Sequence, residues 1–109
     1  DPQHKLLAIG DNVESGSSIL FCQRNKSSAE KDLSRMVQLI RRRCQDSIPR
    51  GALYFSCLGR GRHTFGEGSN EMRLIQRELG DVPLVGFFAN GEISHRRLYS
   101  YTGVLTLFL

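Results

Sequence analysis

Tryptophan is absent from this 109-residue chain, and cysteine and proline occur only three times each. The scarcity of cysteine excludes whole classes of site. Cys22, Cys44 and Cys57 form neither a CxxC pair nor any other zinc-ligand spacing, so no structural metal is expected. An odd number of thiols in three separate contexts is no disulfide framework either, and reads as reduced thiols in a cytoplasmic protein. No apolar stretch approaches the roughly 20 residues that span a bilayer. The longest, residues 82–89, contains Pro83 and Gly86 and reads as a strand, so no membrane partner is expected. Helix-turn-helix, zinc-finger and RNP signatures are also missing. The net charge of +4 therefore needs a local reading. Arg41, Arg42 and Arg43 close a predicted helix, where cations complement the macrodipole. The other basic residues are interspersed with Asp and Glu, and no nucleic-acid partner is expected. There is no initiator Met or signal-peptide pattern, and the start at Asp1-Pro2 reads as a segment of a longer chain.

What is present is an ordinary globular composition, 39% hydrophobic and 24% charged, in one domain able to bury roughly two-thirds of its unfolded surface. Its centre is residues 51–91. GALYFSC is a short apolar run and reads as a strand. In NEMRLIQREL, Met72, Ile75 and Leu79 share one helical face, and Gly80 closes the helix. PLVGFFA is a second strand, with Pro83 where a strand can begin. A strand–helix–strand crossover of this length favours parallel, right-handed pairing. Parallel strands would send both following loops off one sheet edge, where open α/β sheets bind ligands.

Upstream, residues 5–9 (KLLAI) read as a strand ended by Gly10-Asp11-Asn12, and residues 18–24 (SILFCQR) as a second. Ser27 and Glu30 fit a capping box for a helix running to about Cys44. Leu33, Met36, Val37, Ile40 and Cys44 form its apolar stripe. Downstream, residues 93–98 read as a polar connection and 100–109 as a final strand with one dry and one partly wet face. The expected fold is α/β (α+β): a mixed five-stranded sheet in the order β-β-α-β-α-β-β, with two helices packed on one face. The other face would be covered if a second domain docked.

Two loops can carry chemistry. In the first, residues 59–68, four glycines allow close backbone approach. It fails the Walker pattern, because Glu67-Gly68 stand where Lys-Ser/Thr should, and the dinucleotide pattern, because Thr64 stands where Gly should. Arg60 and Arg62 near a helix N-terminus would suit a carboxylate or phosphate. The alternative is a solvated loop whose arginines pair with Glu67 and Glu71. In the second loop, Asn90-Gly91-Glu92 is a hairpin-turn signal that can also offer an amide and a carboxylate. Arg60 with Glu92 would match the two charges of an amino acid, and a direct Arg60–Glu92 salt bridge is equally economical. Cys57 with His63 lacks a third residue to orient the base. His63, His95 and Glu92 have no metal-site spacing. No enzyme activity and no cofactor are expected.

The pairing of F-S-C-L-G-R-G (Phe55 to Gly61) with P-L-V-G-F-F-A-N-G-E-I (Pro83 to Ile93) resembles the C-terminal FIST domain, named for F-box and intracellular signal transduction proteins. Gly10-Asp11, Gly16 and the run from Phe21 to Arg24 resemble its upstream portion. The resemblance implies a cytoplasmic sensory domain that follows an N-terminal FIST domain, serves a signalling output module and binds a small molecule such as an amino acid. It carries over Cys57, Gly59, Arg60, Gly61, Asn90, Gly91 and Glu92 as motif positions for ligand binding. It brings no catalytic set. After Ile93 the chain departs from the family pattern at Ser94 and Ser100. The rival reading is a protein-interaction module in which Arg96, Arg97 and the arginine loop meet an acidic partner.

Overall fold

The computed structural model describes residues 1, 3–10, 12–45 and 47–109; Asp11 of the predicted turn lies outside them. The first regular element is helix α1, Lys26–Arg43. Its N-cap is Asn25, in extended backbone, whose side chain accepts from the Ser28 amide at 2.9 Å while the Ser28 side chain faces the Asn25 amide. The box is therefore Asn-x-x-Ser, two residues before the Ser27–Glu30 box expected from sequence. Asn caps as well as Ser, so the earlier residue starts the helix. Leu33 and Val37 are its buried positions, and Arg41, Arg42 and Arg43 occupy its last turn.

Strand β1, Gly51–Cys57, is central. It pairs in parallel with β2, Leu84–Ala89, from Ala52↔Leu84 to Cys57↔Ala89. On its other side it pairs antiparallel with β5, Gly103–Phe108, from Gly51↔Phe108 to Ser56↔Gly103. The crossover from β1 to β2 holds two helices, α2 (Gly61–Phe65) and α3 (Asn70–Leu79). Between β2 and β5 lies a separate hairpin of β3 (Glu92–Ser94) and β4 (Arg97–Tyr99), turned at His95 in left-handed backbone.

The period of two in β1 decides where the core lies. Ala52, Tyr54 and Ser56 are buried under the helices, packed with Leu33, Val37, Phe65, Leu74, Ile75 and Leu79. Leu84 of β2 and Leu105 and Leu107 of β5 flank this core. The opposite face carries Phe55 and Phe87, edge to face at 4.9 Å, with Val85, Val104 and Phe108 exposed. Both sets of helices thus sit on one face of a mixed sheet, as expected.

The strand count and order differ from expectation. Residues 5–9 and 18–24 form no strand and their apolar side chains are exposed. A strand exists only through a partner's hydrogen bonds, and neither run has one here. The expected glycine-arginine loop contains α2, anchored by the buried Phe65. The expected polar connection after Glu92 is the β3–β4 hairpin. The order is α-β-α-α-β-β-β-β, with three strands in the main sheet. No helix among the described residues is long and apolar enough to cross a membrane.

Gly86 marks the tightest point of the sheet, since a Cβ there would overlap the Tyr54 carbonyl oxygen opposite it. Glycine ordinarily weakens a strand, so Gly86→Ala would be neutral or stabilising at an open position. Here the overlap is with backbone, which cannot swing aside. We expect Gly86→Ala to cost about 1–3 kcal/mol, typical of overpacking, measured as a lowered urea midpoint.

Candidate functional site

The ends of β1 and β2 are tied together: the Leu58 amide donates to the Ala89 carbonyl at 2.9 Å. Both loops therefore leave one sheet edge. Just below that edge lies a buried polar cluster centred on Glu71, in the first turn of α3 and only 4% exposed. Its Oε1 accepts from the Tyr54 hydroxyl at 2.6 Å and from Arg60 Nε at 2.8 Å, and its Oε2 accepts from the Ser56 hydroxyl at 2.8 Å. Arg60 also donates to the Tyr101 carbonyl at 3.3 Å and lies 5.0 Å over the Phe65 ring. Gly103 makes room for this arrangement, because a Cβ there would overlap the Tyr54 hydroxyl.

Electrostatics follow from this packing. Burial pushes the Tyr54 hydroxyl well above the ordinary tyrosine range, and its hydrogen bond to Glu71 acts in the same direction. Burial opposes the charge on Arg60, but Tyr54 and Glu71 outweigh it and raise the guanidinium pKa.

Two cavities meet at this cluster, and Tyr54 lines both. The larger, about 480 Å³, lies between the sheet and the α2–α3 segment. Ser56 and Glu71 contribute polar groups, Arg62 and Glu67 opposite charges, and Phe65, Met72, Phe87 and Phe88 apolar walls. Ser69 starts α3 from left-handed backbone and supplies no side-chain cap. The smaller cavity, about 270 Å³, lies between α1 and β5 and is bordered by Arg60. A more open groove of about 740 Å³ runs between α1 and α3. It contains none of the motif residues, and its Arg35 and Arg77 already face Asp32 and Glu78, so we assign it no chemistry.

The motif residues take several roles. Gly61 lines the 480 Å³ cavity, where a Cβ would press on the Phe88 ring. Gly59 lies against the Tyr101 ring, and Cys57 is buried. Arg60 is bound to Glu71, one of the two pairings foreseen for the loop arginines. At the second loop Asn90 is exposed and Gly91 half-buried. Glu92 is 8% exposed; its Oε2 accepts from the Thr102 hydroxyl, and its Oε1 has no hydrogen-bond partner among the described residues. Arg60 and Glu92 are thus held by different partners.

Sequence reasoning left Tyr54 and Ser56 out of the site, and treated Glu71 only as a possible partner of the loop arginines. A signal for Glu71 exists: it shares a helical face with Leu74 and Ile75, both buried. A carboxylate within an apolar stripe requires buried donors, and Tyr54 and Ser56 alternate onto the core face of β1.

Two outcomes follow. Glu71→Gln removes the counter-charge from a largely buried Arg60 and should cost about 3–5 kcal/mol, whereas Glu67→Gln on the exposed loop should stay within about 0.5 kcal/mol; urea unfolding compares them. In alkaline ultraviolet titration, the Tyr54 phenol should stay neutral past the ordinary tyrosine value of about 10. The folded pKa lies above the unfolded one, so the stability it carries is complete below that value and is lost as pH rises further. Tyr54→Phe should remove this late-titrating phenol.

The sequence profile of the FIST C domain matches residues 1–95. An uncharacterized protein of Mycobacterium tuberculosis is 37% identical over 116 residues, covering 100% of this chain and 29% of the relative. An uncharacterized protein of Mycobacterium bovis is 35% identical over 113 residues, with the same coverage of 100% and 29%. The chain thus spans under a third of the length of these relatives. No solved structure matches it significantly.

Proposed function

Because the chain belongs to the FIST C domain family, we propose that it is a non-enzymatic sensory domain that binds a small polar ligand, an amino acid, in intracellular signal transduction. The observation that carries this reading is the 480 Å³ cavity at the carboxyl edge of the parallel strands. Its size lies within the range of small-molecule sites, and its lining has their usual mixture of apolar walls and a few polar groups. Arg62 and the uncapped start of α3 suit a carboxylate, Glu67 suits an ammonium group, and Phe88 and Met72 suit an apolar side chain. Among the motif residues, Gly61 forms part of the wall and Arg60 fixes Glu71 in the floor. Cys57, Gly59, Asn90, Gly91 and Glu92 frame the adjoining loop ends. In this reading the domain works in the cytoplasm, next to an N-terminal FIST domain and a signalling output module.

One observation favours a second reading as a protein-interaction module: the helix-free sheet face exposes Val85, Phe87 and Phe108. A thermal-shift screen of the amino acids and small carboxylates separates the two. A ligand bound only by the folded state, at a hundredfold excess over Kd, contributes about 2.7 kcal/mol. Each kcal/mol raises Tm by about 4–8 °C for a domain of this size. A true ligand should therefore raise Tm by roughly 10–20 °C. Arg62→Ala should abolish the rise without changing the unliganded Tm, since Arg62 is exposed. If no compound shifts Tm, the protein-interaction reading takes its place.

A further inference from the structure

We propose that residues 18–24 close onto the free edge of β5 as an antiparallel fourth strand, placing Ile19 and Phe21 in the cleft between α1 and β5. The proposal does not depend on the ligand reading. Four observations converge on it. The segment is apolar and strand-like in sequence, yet Leu20 is 85% and Phe21 80% exposed. β5 lies at the end of the sheet order β2-β1-β5, with one edge unpaired among the described residues. Such an edge is a template for another strand.

The cleft beside that edge, about 270 Å³, is lined by Leu33, Met36, Val37 and Ile40 of α1 and by Leu105 of β5. It is smaller than typical ligand pockets, and although Asp32, Arg60 and Thr102 also border it, its apolar stretch along α1 and Leu105 suits side chains from an adjoining strand. Lastly, the segment is already anchored at the right end. The Arg24 guanidinium sits 3.9 Å over the Tyr101 ring, two residues before β5 begins, and Asn25 caps α1.

From that anchor, a chain traced back from Arg24 to Ser18 runs along β5 from Gly103 towards Phe108. The direction is antiparallel, and seven residues at about 3.3 Å each span the six residues of β5 with one to spare. Alternation then puts Ile19 and Phe21 on the face of Leu105 and Leu107, and Leu20 and Cys22 on the face of Val104 and Thr106. Closure would also cover Arg60, which borders the same cleft.

Cys22 is free and exposed, so the closed strand can be trapped. Val104→Cys and Thr106→Cys, made separately in the whole chain and oxidised with oxidised glutathione, test two adjacent registers. One of them should form an intramolecular disulfide with Cys22, identified by peptide mapping and lost in the Cys22→Ser background. Amide exchange gives an independent reading: Ile19 and Phe21 should be protected together with Leu105 and Leu107. Phe21→Ser should lose that protection, while Leu20→Ser should keep it. A disulfide in neither variant, one joining two chains, or unprotected amides throughout residues 18–24 would overturn the proposal.

Discussion

The Glu71 carboxylate sets the terms for the packing around it. A carboxylate with 4% exposure is tolerable only if its lone pairs are met by donors and its charge by a cation. Tyr54, Ser56 and Arg60 supply these, from the core face of β1 and from the turn that follows it. Each bond also fixes a larger element. The Tyr54 and Ser56 bonds hold the start of α3 over the middle of the sheet. The Arg60 bond holds the turn into α2, and through Tyr101 it reaches the approach to β5. One buried ion thereby joins the crossover helices to the central strand and to the chain's final strand. Its fixed geometry also shapes the floor of the larger cavity.

The sequence was legible where local pattern and tertiary partner agree. GALYFSC and PLVGFFA are apolar, short and joined by a helical crossover, so the parallel pair, its direction and the shared loop edge could be read directly. The helix over residues 70–79 announced itself by spacing and by Gly80. The N-terminal runs carry the same apolar strand character, but a strand is defined by its neighbour, and residues 5–9 and 18–24 have none here. The hairpin of β3 and β4 was hidden because His95, not the Asn-Gly pair, makes its turn. The helix from Gly61 to Phe65 was masked by glycines, and only the buried Phe65 side chain gives it a reason to form.

At the site, glycine and arginine drew attention because their chemistry is conspicuous in a loop. The residues that build the floor are ones whose meaning depends on facing. Tyr54 and Ser56 look like ordinary strand residues until their alternation is combined with the placement of α3. Arg60 looked free to meet a ligand, but a buried carboxylate one helix away is a nearer and permanent partner. Arg62, by contrast, is exposed at the rim of the 480 Å³ cavity.

The sheet itself adds a constraint. Parallel strands are normally covered on both faces, yet the parallel pair here is covered on one. Leu53 and Phe55 of β1 are half-buried only through their neighbours, and Val85 and Phe87 of β2 are open to solvent. Apolar residues could have been restricted to the core face, as they are in antiparallel sheets with one wet side. In β2 they are not: the strand is apolar at every position. A strand with no polar face is suited to cover on both sides, and this makes the bare face more than incidental exposure. The 480 Å³ cavity lies on the helix side of the same strands, where Phe88 and Gly86 line it, so the two faces of β2 meet quite different surroundings.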